Sequence, residues 1–236
     1  MQRGTPIFII CSSRPRVGKT LLARLLAEFF RADDRPLAAF DVNPDEFALV
    51  DYLPGYTAVA SVSDTKGQIA LFEQLLIADQ APKIVDLGHG QFDRFFSVAQ
   101  EIGFFDEARR MTVVPMVLFI ADPDRRSRQG YDMLRDRFPD LALVPVLNEA
   151  LPQMSRHHDQ FPGTRHGGRP INVPALPPFL KGVIERPSFS FAALSVTAAD
   201  TTTELYGWTR RVFLEFRELE LRMLLAELKP ALKFSA

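Results

Sequence analysis

PIFIICSSRPRVGKTLLARLLAEFF, residues 6–30, joins an apolar run to an amphipathic stretch through a polar loop. Residues 6–12 form an almost unbroken apolar run of strand length, which is typical of a strand buried on both faces of a parallel sheet. After the loop, large apolar residues recur at helical spacing and predict one apolar helix face: Leu22, Leu25, Leu26, Phe29 and Phe30. The segment therefore predicts a strand, a loop and a helix in direct succession.

The same alternation continues along the chain. Further apolar runs of strand length lie at 36–42, 83–88, 112–122 and 141–148. Helical stretches separate them at 66–80, 92–110 and 123–137. Repeated alternation of this kind predicts an α/β fold, with a mostly parallel sheet and helices on both faces. Residues 151–178 show little periodicity, and a long helix is predicted at 199–229.

Length and composition narrow the classes of protein. The 236 residues are enough for one large domain spanning 1–236. Lys and Arg number 28 against 29 Asp and Glu, so the net charge gives no support for DNA binding, which is left open. Cys11 is the only cysteine, which excludes an intramolecular disulfide and a cysteine-rich zinc site. The chain shows neither a signal peptide nor a transmembrane segment, and we expect a cytoplasmic protein.

The polar loop carries most of a phosphate-binding pattern. Gly18, Lys19 and Thr20 match the end of G-x-x-x-x-G-K-[ST], but Ser13 stands where the first glycine belongs. The match opens a helix, where free N–H groups and the helix dipole favour phosphate. There Lys19 would offset the charge of the β- and γ-phosphates, and the Thr20 hydroxyl would ligate Mg²⁺. An ordinary strand–turn–helix with a buried lysine stem is the alternative. The loop residues predicted to contact a nucleotide are Ser13, Arg14, Pro15, Arg16, Val17, Gly18, Lys19, Thr20 and Leu21.

In this placement the loop resembles that of the ParA/MinD-type ATPases, SIMIBI-class P-loop NTPases whose deviant loop reads K-G-G-x-G-K-T. The resemblance covers residues 5–185 and implies a P-loop NTPase fold, ATP and Mg²⁺ as cofactors, and a homodimer that forms on ATP. The family's signature lysine, which reaches the partner's phosphates, falls on Arg14, a planar and always charged fork. Pro15 and Arg16 replace two glycines, and Pro15 should stiffen the loop. Alternatively, both arginines are simply solvated.

A second resembling segment is FDVNPDE, residues 40–46. In the family the second strand ends in D-x-D-P, where the first Asp organises Mg²⁺ and the second positions or activates the attacking water. Asp41 and Pro44 match, but Asn43 takes the second acidic position and cannot accept a proton at neutral pH. Slow hydrolysis is therefore expected, unless Asp45 substitutes at a different spacing. A strand-end turn with an Asx cap is the alternative.

A third resembling segment is KIVDLGHG, residues 83–90. Its Asp86 matches the Walker B aspartate, which holds the Mg²⁺ shell through water in the family. The glycines on either side of His89 suit a turn that must move close to the γ-phosphate. His89 itself is either an exposed turn residue or a phosphate or water contact. The implied metal ligands are Thr20, Asp41 and Asp86, and the implied catalytic residues are Lys19, Arg14, Asp41 and Asn43.

The base-binding end of the resemblance is looser. Asn148 ends the predicted strand 141–148, where relatives carry an Asn whose amide meets the adenine. INVPALP, residues 171–177, resembles the short strand and proline turn that flank the base. An Asn at a strand end is common in any protein, and that reading also stays open.

Two regions lie largely outside these motifs. Residues 153–170 carry Arg156, Arg165, Arg169 and the histidines His157, His158 and His166. This basic loop is either solvated or a contact for DNA or an acidic partner, and its histidines lack zinc-site spacing. The apolar stripe of the 199–229 helix either packs on the chain's own sheet or forms a dimer or partner surface.

Together these features predict a ParA/MinD-like, ATP-binding, dimerising switch in positioning, partitioning or assembly, with an unidentified protein partner and weak ATP hydrolysis. One alternative is an enzyme like dethiobiotin synthetase, whose loop also ends in V-G-K-T and which uses ATP to phosphorylate a small acid. Another is an adaptor that binds nucleotide without hydrolysing it, which Asn43 favours.

Overall fold

The computed structural model describes residues 4–43, 49–152, 160–164, 167–196 and 203–232. Within these ranges the chain builds one sheet of seven strands, in which every pairing is parallel. The strands are β1 Thr5–Cys11, β2 Ala38–Val42, β3 Thr57–Val59, β4 Lys83–Leu87, β5 Val113–Ala121, β6 Ala142–Asn148 and β7 Ile171–Val173. Their order across the sheet is β3-β2-β4-β1-β5-β6-β7.

Helices connect these strands and continue after the last one. In the described ranges they are α1 Lys19–Ala32, α2 Leu49–Tyr52, α3 Thr65–Leu75, α4 Phe92–Glu101, α5 Phe104–Arg110, α6 Arg125–Arg137, α7 Pro178–Ile184, α8 Phe191–Val196 and α9 Glu204–Leu232. A 3₁₀ turn at His89–Gln91 precedes α4.

Two apolar layers sandwich the sheet. Alternate residues of β1 enter different layers, with Ile7 and Ile9 in one and Phe8 and Ile10 in the other. The first layer packs against α3, α4, α5 and α6, and the second against α1, α2, α7, α8 and α9. The predicted fold class, a parallel sheet with helices on both faces, is therefore confirmed, and it is consistent with a P-loop NTPase-like fold.

The path of the chain opens a crevice beside β1. From β1 the chain passes to β2 on one side, and after β4 it crosses over to β5 on the other side. In open parallel sheets, such a reversal leaves a crevice at the carboxyl ends of the strands, where ligands bind. The loop that follows β1 therefore lies at the edge of the sheet that is best placed for a ligand.

Several predicted boundaries were wrong. The stretch 92–110 is two helices rather than one, because Gly103 adopts a left-handed conformation with φ of 65° between them. The helix predicted at 66–80 ends at Leu75. Residues 151–178 are not wholly irregular, since Ile171–Val173 extends the sheet as β7.

The long C-terminal helix α9 packs on the chain's own second layer. Five of its large apolar side chains are buried there: Leu205, Trp208, Val212, Phe216 and Leu219. The Trp208 indole N–H also donates a hydrogen bond to the carbonyl of Pro174, 2.8 Å away. The predicted residues 199–202 lie outside the described part of the chain. Among the described helices, α9 included, none combines the length and apolar character needed to cross a membrane.

Candidate functional site

The site is built around the loop between β1 and α1, residues 12–18. It begins where the central strand ends, and Gly18 caps the N-terminus of α1. Gly18 has φ of 97°, and a Cβ there would come within 3.1 Å of the Asn148 side-chain nitrogen. Arg16 is also left-handed, with φ of 57°, which is uncommon for a residue with a side chain. Pro15 and Arg16 are exposed, whereas Val17 is buried.

Lys19 is folded back over the loop. It is the first residue of α1 and only 5% exposed, and its ammonium donates a 2.9 Å hydrogen bond to the carbonyl of Arg14. Thr20 follows it in the first turn and is partly exposed. The helix N-terminus, a buried ammonium and a hydroxyl thus meet at the carboxyl edge of the sheet, which is an arrangement suited to an anion.

Two buried aspartates lie side by side next to this loop. Asp41 on β2 is directly opposite Asp86 on β4, and their exposed fractions are 1% and 0%. Their strand neighbours Val42 and Leu87 belong to the first apolar layer, so both carboxylates point to the other face of the sheet, which α1 covers. Strands in this register are about 4.8 Å apart, which places two acidic side chains close together.

Burial raises the pKa of Asp41 above its ordinary value, although the backbone N–H groups of Val50, Leu49 and Asn43 oppose that effect. The Asp41 Oδ2 atom accepts a hydrogen bond from Val50 N at 3.2 Å. Its Oδ1 atom is buried, and no donor in the described ranges forms a hydrogen bond with it. A buried carboxylate oxygen of this kind favours a cation.

Asp41, Asp86 and Thr20 fit Mg²⁺ better than a metal ion whose ligands all come from the protein. Mg²⁺ is commonly held by one or two carboxylates together with substrate phosphates and water. The described residues contain no cluster of three or more His, Cys, Asp or Glu side chains that would form a complete cage. Asp41, Asp86 and the Thr20 hydroxyl are oxygen-bearing groups in this part of the structure that could hold such an ion.

Asn43 follows β2 and lies against the turn after β4. Gly88 N donates to the carbonyl of Val42 at 3.1 Å, and a Cβ on Gly88 would come within 2.5 Å of Asn43 Oδ1. Gly88 is therefore needed for this close approach. The structure brings Asn43 to the same edge as Asp41, while Pro44 and Asp45 lie outside the described residues.

Asn148 contacts the loop directly. Its side-chain N–H₂ donates to the carbonyl of Val17 at 3.0 Å, and its side-chain oxygen accepts from Ala150 N at 3.0 Å. Both ends of this amide are thus used within the chain, so Asn148 ties β6 to the loop between β1 and α1. A small recess lies beside it, lined in part by Gly18, Leu21 and Val173. The predicted contact of Asn148 with adenine remains a prediction.

The first half of the loop contacts α6, which sequence reasoning missed. The Ser13 hydroxyl donates to the carbonyl of Arg126 at 2.8 Å. Arg14 Nε lies 3.8 Å from the carboxylate of Asp124, and both side chains are about one third exposed, at 35% and 37%. We call these contacts of Ser13 and Arg14 with Asp124 and Arg126 the loop–α6 contact. Asp124 lies near the start of the helix predicted at 123–137, but nothing in the sequence indicates that it faces the loop.

A second missed feature is a buried ion pair on α1. Arg24 and Glu28 are joined at 3.1 Å, with side chains 3% and 0% exposed. Arg24 also donates to the carbonyls of Ile184 and Phe189, and Glu28 accepts from Ala192 N. We call this set of contacts the Arg24–Glu28 latch. It ties α1 to the segment spanning α7 and α8.

Three other residues that stand out in the sequence are Cys11, His89 and Arg169. Cys11 is buried at the end of β1, and burial raises the pKa of its thiol, so it lacks the thiolate character of a reactive cysteine. His89 is half-buried in the 3₁₀ turn. Arg169 pairs with Glu218 of α9. The remaining members of the basic segment, Arg156, His157, His158, Arg165 and His166, lie outside the described residues.

Compared with known proteins, the chain matches no family model and no curated protein. The geometry of the loop and its surroundings is therefore what indicates a function.

Proposed function

We propose that this protein binds ATP with Mg²⁺ and acts as a nucleotide-dependent switch that dimerises on ATP and hydrolyses it slowly. One observation carries the proposal: a helix N-terminus bearing buried Lys19 lies at the carboxyl edge of a parallel sheet, on the face towards which Asp41 and Asp86 point. A positive helix end next to two carboxylates is suited to an anion that arrives with a divalent cation.

Each residue has a role that follows from its place. Lys19 would exchange its bond to the Arg14 carbonyl for β- and γ-phosphate oxygens. Thr20, Asp41 and Asp86 would hold Mg²⁺, whose charge would offset that of the phosphates. The N–H groups at the start of α1 would donate to phosphate oxygens. The base would lie towards the recess near Leu21 and Asn148.

Slow turnover follows from Asn43. Its amide can orient a water molecule but cannot take up a proton at neutral pH. General-base assistance is typically worth about 10²- to 10⁴-fold in rate. A protein that holds ATP for a long time before hydrolysing it can act as a switch between two states, which suits positioning, partitioning or assembly with a partner protein.

Dimerisation is the part of the proposal that depends on Arg14. The Arg14 side chain is about one third exposed. Its guanidinium would turn from Asp124 to a phosphate outside its own loop. In the ParA/MinD-type proteins that the loop resembles, the signature lysine acts across the dimer. Arg14 would supply the corresponding charge here.

Calorimetry and size-exclusion chromatography in ATP·Mg²⁺ and ADP·Mg²⁺ test the proposal. We expect the wild type to bind both nucleotides and to elute as a dimer only with ATP. Lys19→Ala should weaken ATP binding at least tenfold, because charge-assisted hydrogen bonds are worth about 1.5–3 kcal/mol each. Lys66→Ala, at an exposed lysine of α3, is the matched control and should bind normally.

The same experiment separates the competing functions. Equal ATP affinity in Lys19→Ala and Lys66→Ala would rule out the phosphate-loop interpretation. Nucleotide binding without any change of oligomeric state or turnover would instead favour the adaptor, which Asn43 also fits. Product formed only when a small acid is added would favour the biosynthetic enzyme.

A further inference from the structure

The loop–α6 contact holds Arg14 weakly. The distance of 3.8 Å between Arg14 Nε and Asp124 Oδ1 is long for a hydrogen bond, and this nitrogen is buried without a hydrogen-bond partner in the described ranges. The Asp124 carboxylate therefore orients the Arg14 guanidinium without satisfying its hydrogen-bonding capacity. A stronger acceptor nearby would compete successfully for it.

Asp124 can lose Arg14 at little cost. Its Oδ1 atom caps α6 by accepting from Arg126 N at 2.7 Å, and its own N–H donates to Asp122 Oδ1 at 2.9 Å. The carboxylate also lies at the positive end of the helix dipole. Exposed arginines follow it on the first turns of α6, namely Arg125, Arg126 and Arg128. Its negative charge therefore stays compensated when Arg14 leaves.

The neighbouring contact fixes the loop against the same helix. The Ser13 hydroxyl bonds the Arg126 carbonyl, and a Cβ on Gly130 would come within 2.9 Å of the Ser13 oxygen. Glycine inside a helix costs about 0.5–1 kcal/mol relative to alanine. Its presence at position 130 allows α6 to approach the loop closely enough for Asp124 to reach Arg14.

We propose that Asp124 is a positioning residue. It pairs with Arg14 until a triphosphate binds, and Arg14 then leaves Asp124 to contact a phosphate of that triphosphate. This inference rests on the proposed nucleotide function and names a regulatory residue within it. By competing for Arg14, Asp124 opposes ATP binding without opposing ADP binding, so its loss raises the preference for ATP.

Asp124→Asn tests this with little disturbance of α6, because Asn is as good a helix cap as Asp. We expect calorimetry to show ATP·Mg²⁺ binding tightened about two- to fivefold, the range of an exposed ion pair, with ADP·Mg²⁺ affinity unchanged. In an Arg14→Ala background, the same substitution should have no effect. Asp132→Asn removes an equally charged, 55% exposed side chain from the same helix and is the matched control.

The outcomes distinguish this inference from the function on which it rests. A wild type that binds no ATP would rule out both. Three results would overturn only the role of Asp124, provided that the wild type binds ATP. In these results Asp124→Asn leaves ATP affinity unchanged, or Asp132→Asn tightens ATP binding equally, or Asp124→Asn has the same effect in the Arg14→Ala background. Tightening that is selective for ATP and requires Arg14 would support it.

Discussion

Arg14 and Arg24 lie ten residues apart and each faces a carboxylate, yet the two ion pairs differ in almost every physical respect. The Arg24–Glu28 latch is at most 3% exposed and is hydrogen-bonded to the backbone of Ile184, Phe189 and Ala192. The side chains of the Arg14–Asp124 pair are about one third exposed, and 3.8 Å separates Arg14 Nε from Asp124 Oδ1. Arg14 Nε has no hydrogen-bond partner in the described ranges. A buried charge that loses its partner is costly, whereas an exposed one is rehydrated. The first pair therefore belongs to the fold, and the second can exchange partners.

The largest effect is expected at the latch. Arg24→Ala should lower the free energy of unfolding by about 3–5 kcal/mol, because it leaves Glu28 buried without its main counter-charge. Urea unfolding measures this. Arg24→Met combined with Glu28→Leu should recover much of the loss, since no buried charge is then left unpaired. A single variant as stable as the wild type would show that the latch is solvated.

A substitution at Asn43 should change the rate of ATP hydrolysis rather than the stability of the protein. Asn43→Asp supplies the missing proton acceptor and should speed ATP hydrolysis by about 10²-fold, the low end for general-base assistance, because phosphoryl transfer depends little on a base. Phosphate release under single-turnover conditions is the measurement. Rapid hydrolysis by the unmodified protein would show that the catalytic position lies elsewhere.

Gly18 tests whether the loop conformation itself matters. Gly18→Ala places a side chain at φ of 97° and 3.1 Å from the Asn148 amide, so we expect a loss of about 1–3 kcal/mol in the free energy of unfolding. Thermal or urea unfolding would show it. Gly55→Ala is the control, because a Cβ at that glycine meets nothing within 4 Å. Equal effects of the two variants would mean that the loop adapts freely.

Asp41 should destabilise the protein when no cation is bound. Burial raises the pKa of Asp41 in the folded state above its value in the unfolded state. At a pH between these two values, the folded state binds more protons than the unfolded state. The free energy of unfolding therefore falls as the pH rises through this range. Asp41→Asn should therefore gain about 1 kcal/mol at pH 7 in the absence of Mg²⁺. The gain should shrink as the pH is lowered towards 4. A gain that grew at low pH would contradict the sign of the shift.

The smallest effect on stability is expected at Arg14. Arg14→Ala should change the free energy of unfolding by less than about 0.5 kcal/mol, as surface substitutions usually do. The same variant should bind ADP normally but fail to dimerise with ATP, as measured by size-exclusion chromatography. A variant that still dimerises would make Arg14 an ordinary solvated loop residue.

The amino-acid sequence was enough to predict the alternation of strands and helices and the position of the phosphate-loop pattern. Both depend on local periodicity and on residue order, as in the apolar run 6–12 that leads into Gly18 and Lys19. The family resemblance pointed to Asp41 and Asp86 as metal ligands, but only the structure shows that β2 pairs with β4 and places these residues side by side. The break at Gly103 was missed because the apolar pattern continues across it, through Phe104 and Phe105.

Long-range packing, by contrast, sets which charges are buried and which are exposed. Arg14 and Arg24 look alike in the sequence, and their partners Asp124 and Glu28 give no signal of burial. Arg24 also draws its other acceptors from residues 184–189, about 160 positions away. The cost of a charge depends on how much water the rest of the chain removes from around it, and that is set by long-range packing rather than by local order.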